Sequence, residues 1–122
     1  MKTCLVVDDS DAIRSIARGI LESLSLNVVE AADGQKALEI CTNAMPDAIL
    51  LDRNMPVMNG VDFLRALRQR DGGDGPVVIF CTGEINVSLI QEAISAGADD
   101  YVAKPFDSAM VEEKLSQAGV IG

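Results

Sequence analysis

The sequence contains no histidine, only 3% aromatic residues, and 10 basic against 19 acidic side chains. Each shortage excludes something. Without histidine, neither imidazole catalysis nor phosphohistidine chemistry can arise within these 122 residues. With so few aromatic rings in a composition that is 48% hydrophobic, aliphatic packing must build the core. A formal net charge of -9 argues against non-specific nucleic-acid binding and against anionic membrane surfaces, and suits cations or basic partners. No apolar run approaches the roughly 20 residues that cross a bilayer, so no membrane insertion is expected. Acidic residues follow the first short apolar stretch, unlike a signal peptide, and a cytoplasmic location is expected. Cys4, Cys41 and Cys81 are odd in number, far apart and set among apolar neighbours. They read as small buried hydrophobes in a reducing compartment, not as a disulfide or a zinc site.

What is present is one domain's length, 1–122, able to bury a core unaided. Residues 3–7 read as a buried strand, and Ser10 or Asp11 as the cap of the next helix. Ile13, Ile16, Ala17, Ile20, Leu21 and Leu24 then recur with helical periodicity. "LNVVEA" predicts a short strand and "DGQKALEICTNA" a helix with Ala37, Leu38 and Cys41 inward, stopped before Pro46. "DAILLD" is an apolar strand ending at Asp52, followed by the loop "RNMPVMNG" and a helix carrying Val61, Leu64 and Leu67. After the turn cluster "DGGDGP" come the strand "VVIFCT", a helix bearing Val87, Ile90 and Ile94 that ends at Gly97, the strand "DDYVAK" and a helix over 107–118. This is βα repeated five times. Strands 3–7, 47–51 and 77–81 are apolar throughout, which predicts an α/β, doubly wound, five-stranded parallel sheet with helices on both faces.

A parallel sheet gathers the C-terminal ends of its strands on one edge, where open α/β folds bind ligands. The residues reaching that edge are Asp8, Asp9, Asp52, Thr82 and Lys104. Three carboxylates in one place need either a raised pKa or a cation. A hard, oxygen-only donor set selects Mg²⁺, which typically uses one or two carboxylates with waters and phosphate oxygens. Lys104 would pair with a carboxylate in the empty pocket and with a phosphoryl oxygen in the filled one. Thr82 can donate to a second oxygen. The chemistry implied is attack of a carboxylate on phosphorus, giving an aspartyl phosphate.

Each residue also has an ordinary explanation. Asp8 and Asp9 favour the positive end of a helix, Asp52 begins a turn, Thr82 forms a hydroxyl–backbone turn, and Lys104 is a solvated charge. Pro105 opens a helix, and Tyr101 is a partly buried strand residue. Arg14 and Arg18, four apart on one helix, read as a solvated face or as a contact for an acidic partner. The inference rests on the convergence of five polar residues from four strands.

At "VVDDS", "ILLDRNMPVMNG", "FCTG" and "YVAKPF" the sequence strongly resembles the receiver domain of two-component response regulators, most of all its CheY-like single-domain members, over essentially its whole length. The resemblance implies the flavodoxin-like strand order 2-1-3-4-5, for which CheY is a standing example. It also implies a single receiver domain over 1–122 with no effector domain. Asp52 would be the phosphoacceptor. Mg²⁺ would be held by Asp8, Asp9, Asp52 and the backbone carbonyl of Asn54. Thr82, Gly83 and Lys104 would bind the phosphoryl group, with Gly83 leaving the mouth open. Thr82 and Tyr101 would form the switch pair, and Lys104–Pro105 a cis peptide. Asn54 and Glu84 would tune dephosphorylation. Partners would be a histidine kinase or phosphotransfer protein and a downstream protein target docking on residues 86–118, with the domain itself a monomer. Arg53, where many chemotaxis relatives carry an aromatic residue, and the lack of a basic cluster on the docking face depart from the chemotaxis pattern.

Three functions compete. A phosphorylation-switched module is no enzyme beyond its own phosphorylation and dephosphorylation, and could serve chemotaxis, a phosphorelay or a phosphate sink. A Mg²⁺-dependent phosphohydrolase would need a cap insertion and an acid two residues after its nucleophile, where Asn54 stands. A pseudo-receiver would not need the complete acidic set.

Overall fold

The fold, obtained as a computed structural model, is described for residues 1–83 and 86–122. Strands and helices alternate: β1 (Thr3–Val7), α1 (Asp11–Ser23), β2 (Asn27–Ala31), α2 (Gly34–Asn43), β3 (Ala48–Asp52), α3 (Gly60–Arg68), β4 (Val77–Thr82), α4 (Val87–Ala96), β5 (Asp100–Ala103) and α5 (Ser108–Gln117). The sheet is parallel throughout, in the order β2-β1-β3-β4-β5. This is the predicted flavodoxin-like arrangement.

Each helix starts on a side chain that accepts a hydrogen bond from its first turn: Ser10, Asp33, Asn59, Asn86 and Asp107. Such caps satisfy amide groups that the helix itself cannot. Of the two cap candidates for α1, Ser10 does the capping. Gly97 closes α4 at φ 118°, a left-handed conformation that glycine adopts without a Cβ clash.

Successive strand residues point to opposite faces, so the apolar strands feed two separate cores. Leu5, Val7, Ile49, Leu51, Val78 and Phe80 pack with α2, α3 and α4. Cys4, Val6, Ala48, Leu50, Ile79, Cys81 and Val102 pack with α1 and α5. The three cysteines are buried and free, as read from the sequence.

Two apolar stripes are less buried than their periodicity suggests. Ile16 on α1 is 53% exposed, and Val87 and Ile94 on α4 are 71% and 46% exposed. Small Ala17 and Ala93 make the close contacts with the sheet instead, at 0% and 1% exposure. Among the described residues no helix is long and apolar enough to cross a membrane.

Candidate functional site

β1 and β3 lie side by side in the sheet; β3 ends in an acid, and β1 is followed directly by one. Asp52 is the last residue of β3, still in register with Cys81, and Thr82 is the last of β4, opposite Ala103. Both therefore belong to their strands, one residue past the apolar ranges 47–51 and 77–81 and at the ends of "DAILLD" and "VVIFCT". The parallel ladder continues one residue further than the apolar pattern does. Asp8 follows β1 directly, and its amide donates to the Ala31 carbonyl of β2. Asp8, Asp52 and Thr82 are the buried polar side chains of the described fold, at 3%, 8% and 3% exposure. Asp9 is exposed at the rim.

Carboxylate oxygens of Asp8, Asp9 and Asp52 lie within 4.8 Å of one another. Lys104, the first residue after β5, reaches across from the sheet's edge. Its amide donates to the Thr82 carbonyl at 2.8 Å, and its Nζ donates to Asp8 Oδ2 at 2.7 Å and Asp52 Oδ1 at 2.8 Å. The following Lys104–Pro105 peptide is cis. The other Asp8 oxygen accepts the Ser10 amide at 2.9 Å.

The electrostatics follow from burial. Desolvation pushes the Asp52 carboxyl above the usual aspartate range, and Asp8 adds to the rise. The Lys104 ammonium and a backbone hydrogen bond from Asn54 oppose it without cancelling it. For Lys104 burial pulls the pKa down, but hydrogen bonds to Asp52 and Asp8 outweigh it and the ammonium is held charged. Three acids around one lysine that pairs with two of them, Asp8 and Asp52, leave an excess of negative charge and several hard oxygen donors. That donor set fits a hard divalent cation of the Mg²⁺ type.

The loop after β3 is seated by Gly60, whose amide donates to the Arg53 carbonyl at 3.0 Å. A Cβ at Gly60 would stand 2.3 Å from the Asp52 carbonyl oxygen, so only glycine lets α3 start this close to the acidic edge. Asn54 is exposed in this loop and lines, with Arg53, Asn59 and Arg65, a polar groove of about 240 Å³. Gly83 is exposed beyond Thr82. Glu84, the other residue expected to tune dephosphorylation, lies outside the described residues.

Tyr101 sits half-buried on β5, opposite Phe80. Thr82 is two residues further along β4, so both side chains leave the same face of the sheet. Lys114 of α5 covers the Tyr101 ring at 5.3 Å from its centroid and pairs with Asp100 at 3.1 Å.

Arg14 and Arg18 are not a solvated face. Both guanidinium groups grip Glu30 of β2, Arg14 Nε at 3.1 Å and Arg18 Nε at 2.6 Å. The sequence reading missed Glu30. The available signal was the i,i+4 spacing of the two arginines on the helix that must cross from β1 to β2, whose one acid is Glu30.

Residues 4–116 match the family model of the response regulator receiver domain. The chain is similar to the transcriptional regulatory protein PrrA of Mycobacterium tuberculosis, with 43% identity over 105 residues, 86% of this chain and 44% of PrrA. It thus spans less than half the length of that relative. It is similar in structure to the chemotaxis response regulator CheY4 of Vibrio cholerae, with TM-score 0.91 and 33% identity over 96% of this chain and 98% of that one. It is also similar to the receiver domain of the sensor histidine kinase PA1611 of Pseudomonas aeruginosa, with TM-score 0.88 and 29% identity over 95% of each chain. That structure has a magnesium ion coordinated in the active site cleft.

Proposed function

The chain belongs to the response regulator receiver domain family, and from that premise we propose that it accepts a phosphoryl group on Asp52 in a Mg²⁺-dependent reaction and so switches a protein-docking surface. The observation that carries this reading is the Lys104 ammonium held at 2.7 and 2.8 Å from Asp8 and Asp52, beside the third carboxylate of Asp9. Asp8, Asp9, Asp52 and the Asn54 carbonyl would hold the metal. Bound magnesium would neutralise charge on the phosphoryl oxygens and on the crowded acids.

The chain's own residues do the rest. The donor would be a phosphohistidine on a histidine kinase or phosphotransfer protein, and these 122 residues supply none. An Asp52 oxygen attacks phosphorus, the new O–P bond forms as the donor's N–P bond breaks, and the leaving imidazole takes up a proton. Burial keeps Asp52 in place but poorly solvated, which favours attack over resting as a hydrated carboxylate. Lys104 moves its pairing from Asp52 to a phosphoryl oxygen, and the Thr82 hydroxyl donates to another. Gly83 adds no side chain at the mouth. Asn54 and Glu84 orient the water that later hydrolyses the acyl phosphate. The domain catalyses only its own phosphorylation and dephosphorylation.

Output would pass from Thr82 to Tyr101 and then to the surface of α4, β5 and α5. Support comes from the exposed Val87 and Ile94 of α4 and from a groove of about 310 Å³ lined by Tyr101, Val102, Ala103, Met110, Glu113 and Lys114. A partner that prefers one state of this surface reads the modification out. Likeness over 98% of the CheY4 chain favours a chemotaxis target. Likeness to a sensor kinase's receiver favours a second reading, a phosphorelay intermediate or phosphate sink. In either role we expect a cytoplasmic monomer.

The test is incubation with Mg²⁺ and a small acyl-phosphate donor, followed by intact-mass measurement. One labile phosphoryl group should appear on the parent and none on Asp52→Asn. Turnover of many donor molecules without a stable adduct would indicate a phosphohydrolase instead. No adduct and no turnover would indicate a pseudo-receiver.

A further inference from the structure

The Asp8–Asp9 pair is fixed from behind by a residue outside the acidic site. Arg14 donates from Nη1 to the Asp8 carbonyl oxygen at 2.6 Å. Its Nη2 pairs with the Asp11 carboxylate and its Nε with Glu30 at 3.1 Å. The side chain is only 14% exposed, although it lies on the first turn of a surface helix. All three guanidinium nitrogens are thus committed, each to a different element: the turn after β1, α1 itself, and β2.

The carbonyl that Arg14 holds belongs to the peptide unit joining Asp8 to Asp9. A peptide unit is rigid and planar, so fixing its oxygen fixes the direction in which the chain enters Asp9. The Ser10 amide and Lys104 hold the Asp8 carboxylate at the same time. The turn is clamped on both sides, by its backbone and by its side chain. Glu30 sits directly across from Val6 in the β1–β2 ladder, so it ties Arg14 to the sheet itself.

Two arginines face three acids in this cluster: Arg14 pairs with Asp11 and Glu30, and Arg18 with Glu30 and Glu22. Glu30 is held below the usual glutamate range by Arg18 first and Arg14 second. The contact of Arg14 with the acidic edge is its hydrogen bond to the Asp8 carbonyl oxygen, so geometry is what it contributes there.

We propose that Arg14 is a positioning residue for cation binding: it sets the Asp8–Asp9 backbone so that both carboxylates present oxygens to one divalent ion, with Glu30 orienting its guanidinium. The proposal rests on the metal role given to Asp8 and Asp9 above. Groups that orient metal ligands typically carry roughly 10- to 100-fold of metal affinity.

The sign of the effect separates this role from simple electrostatics. Removing a positive charge near a cation site tightens binding if charge is what matters. Removing a positioning contact weakens it. The experiment is an Mg²⁺ titration of the full chain, followed by backbone amide NMR shifts of Asp9, Ser10 and Arg53, for the parent, Arg14→Met and Arg18→Ala. Arg14→Met should weaken the Mg²⁺ dissociation constant about tenfold and displace the metal-free amide shifts of Asp9 and Ser10. Arg18→Ala, which loses the same Glu30 but has no contact with Asp8, should stay within about twofold of the parent. If Arg14→Met does not fold, Arg14→Lys takes its place: it keeps the charge but cannot make the three guanidinium contacts, so positioning predicts a loss of affinity and charge alone predicts none.

Unchanged or tighter binding in the Arg14→Met or Arg14→Lys protein overturns the proposal alone. An equal loss in Arg18→Ala also overturns it, because the cluster would then act only by bracing α1 against β2. If magnesium moves no amide of the parent, the metal reading itself falls, and this proposal with it.

Discussion

Lys104 Nζ lies 2.8 Å from Asp52 Oδ1, yet the Asp52 carboxyl stays above the ordinary aspartate range. The pairing is real but must offset both burial and the neighbouring charge of Asp8. The lysine is held charged by the pairing, but it is shared with Asp8 and does not outweigh the burial of Asp52.

The first prediction follows from that balance. A carboxyl whose folded pKa is raised favours folding while it is protonated and opposes folding once ionised. Its stability contribution is therefore present below the unfolded value and lost as pH rises through the folded one. Asp52→Asn should melt at a higher temperature than the parent at about pH 7 without magnesium. The gap should close as pH falls below about 4, the unfolded aspartate range. Calorimetric scans across that window check it; a variant that melts lower at neutral pH contradicts the account.

Gly60→Ala tests the packing behind the acid. Its new methyl would meet the Asp52 carbonyl oxygen at 2.3 Å, a backbone atom that cannot rotate away. A loss of about 3 kcal/mol in urea unfolding is expected, at the upper end of overpacking costs.

The thiols provide a chemical probe. Burial pushes Cys4 and Cys81 up to about 12 and Cys41 up to about 11. At about pH 8 an alkylating reagent should modify the folded protein at least about a hundredfold more slowly than the denatured chain. Mass spectrometry after timed quenching gives the ratio; prompt labelling of any one cysteine would place it outside the core.

Arg68 ties together the end of the molecule opposite the acids. It donates to the Gly97 carbonyl at 2.7 and 3.0 Å, to Gly73 at 2.8 Å and to Pro76 at 2.9 Å, and pairs with Asp99 at 3.2 Å. Arg68→Ala leaves these carbonyls short of partners and should cost about 2 kcal/mol. Amide hydrogen exchange near the end of α4, at Gly97 and Ala98, should quicken more than in α1.

Much of this was legible beforehand because period and position carry it. The continuous apolar runs of β1, β3 and β4 can be satisfied only between two helical layers, and that requirement puts Asp8, Asp52, Thr82 and Lys104 on one edge. What stayed hidden depends on pairing across sequence distance. Glu30 is sixteen residues from Arg14, and the i,i+4 arginines point to it only once β2 is placed beside β1. The exposure of Ile16, Val87 and Ile94 was equally illegible. Periodicity reports which side chains share a helix face, not how closely that face approaches the sheet.

The strand layer that divides the interior into two apolar compartments has a further consequence. Leu5 and Val7 answer to α2, α3 and α4, while Cys4 and Val6 answer to α1 and α5, with the backbone ladder standing between them. Volume changes in the two compartments meet different helices, so substitutions far apart on opposite sides should cost energies that add. A loss of packing in one compartment is then not recovered by refilling the other.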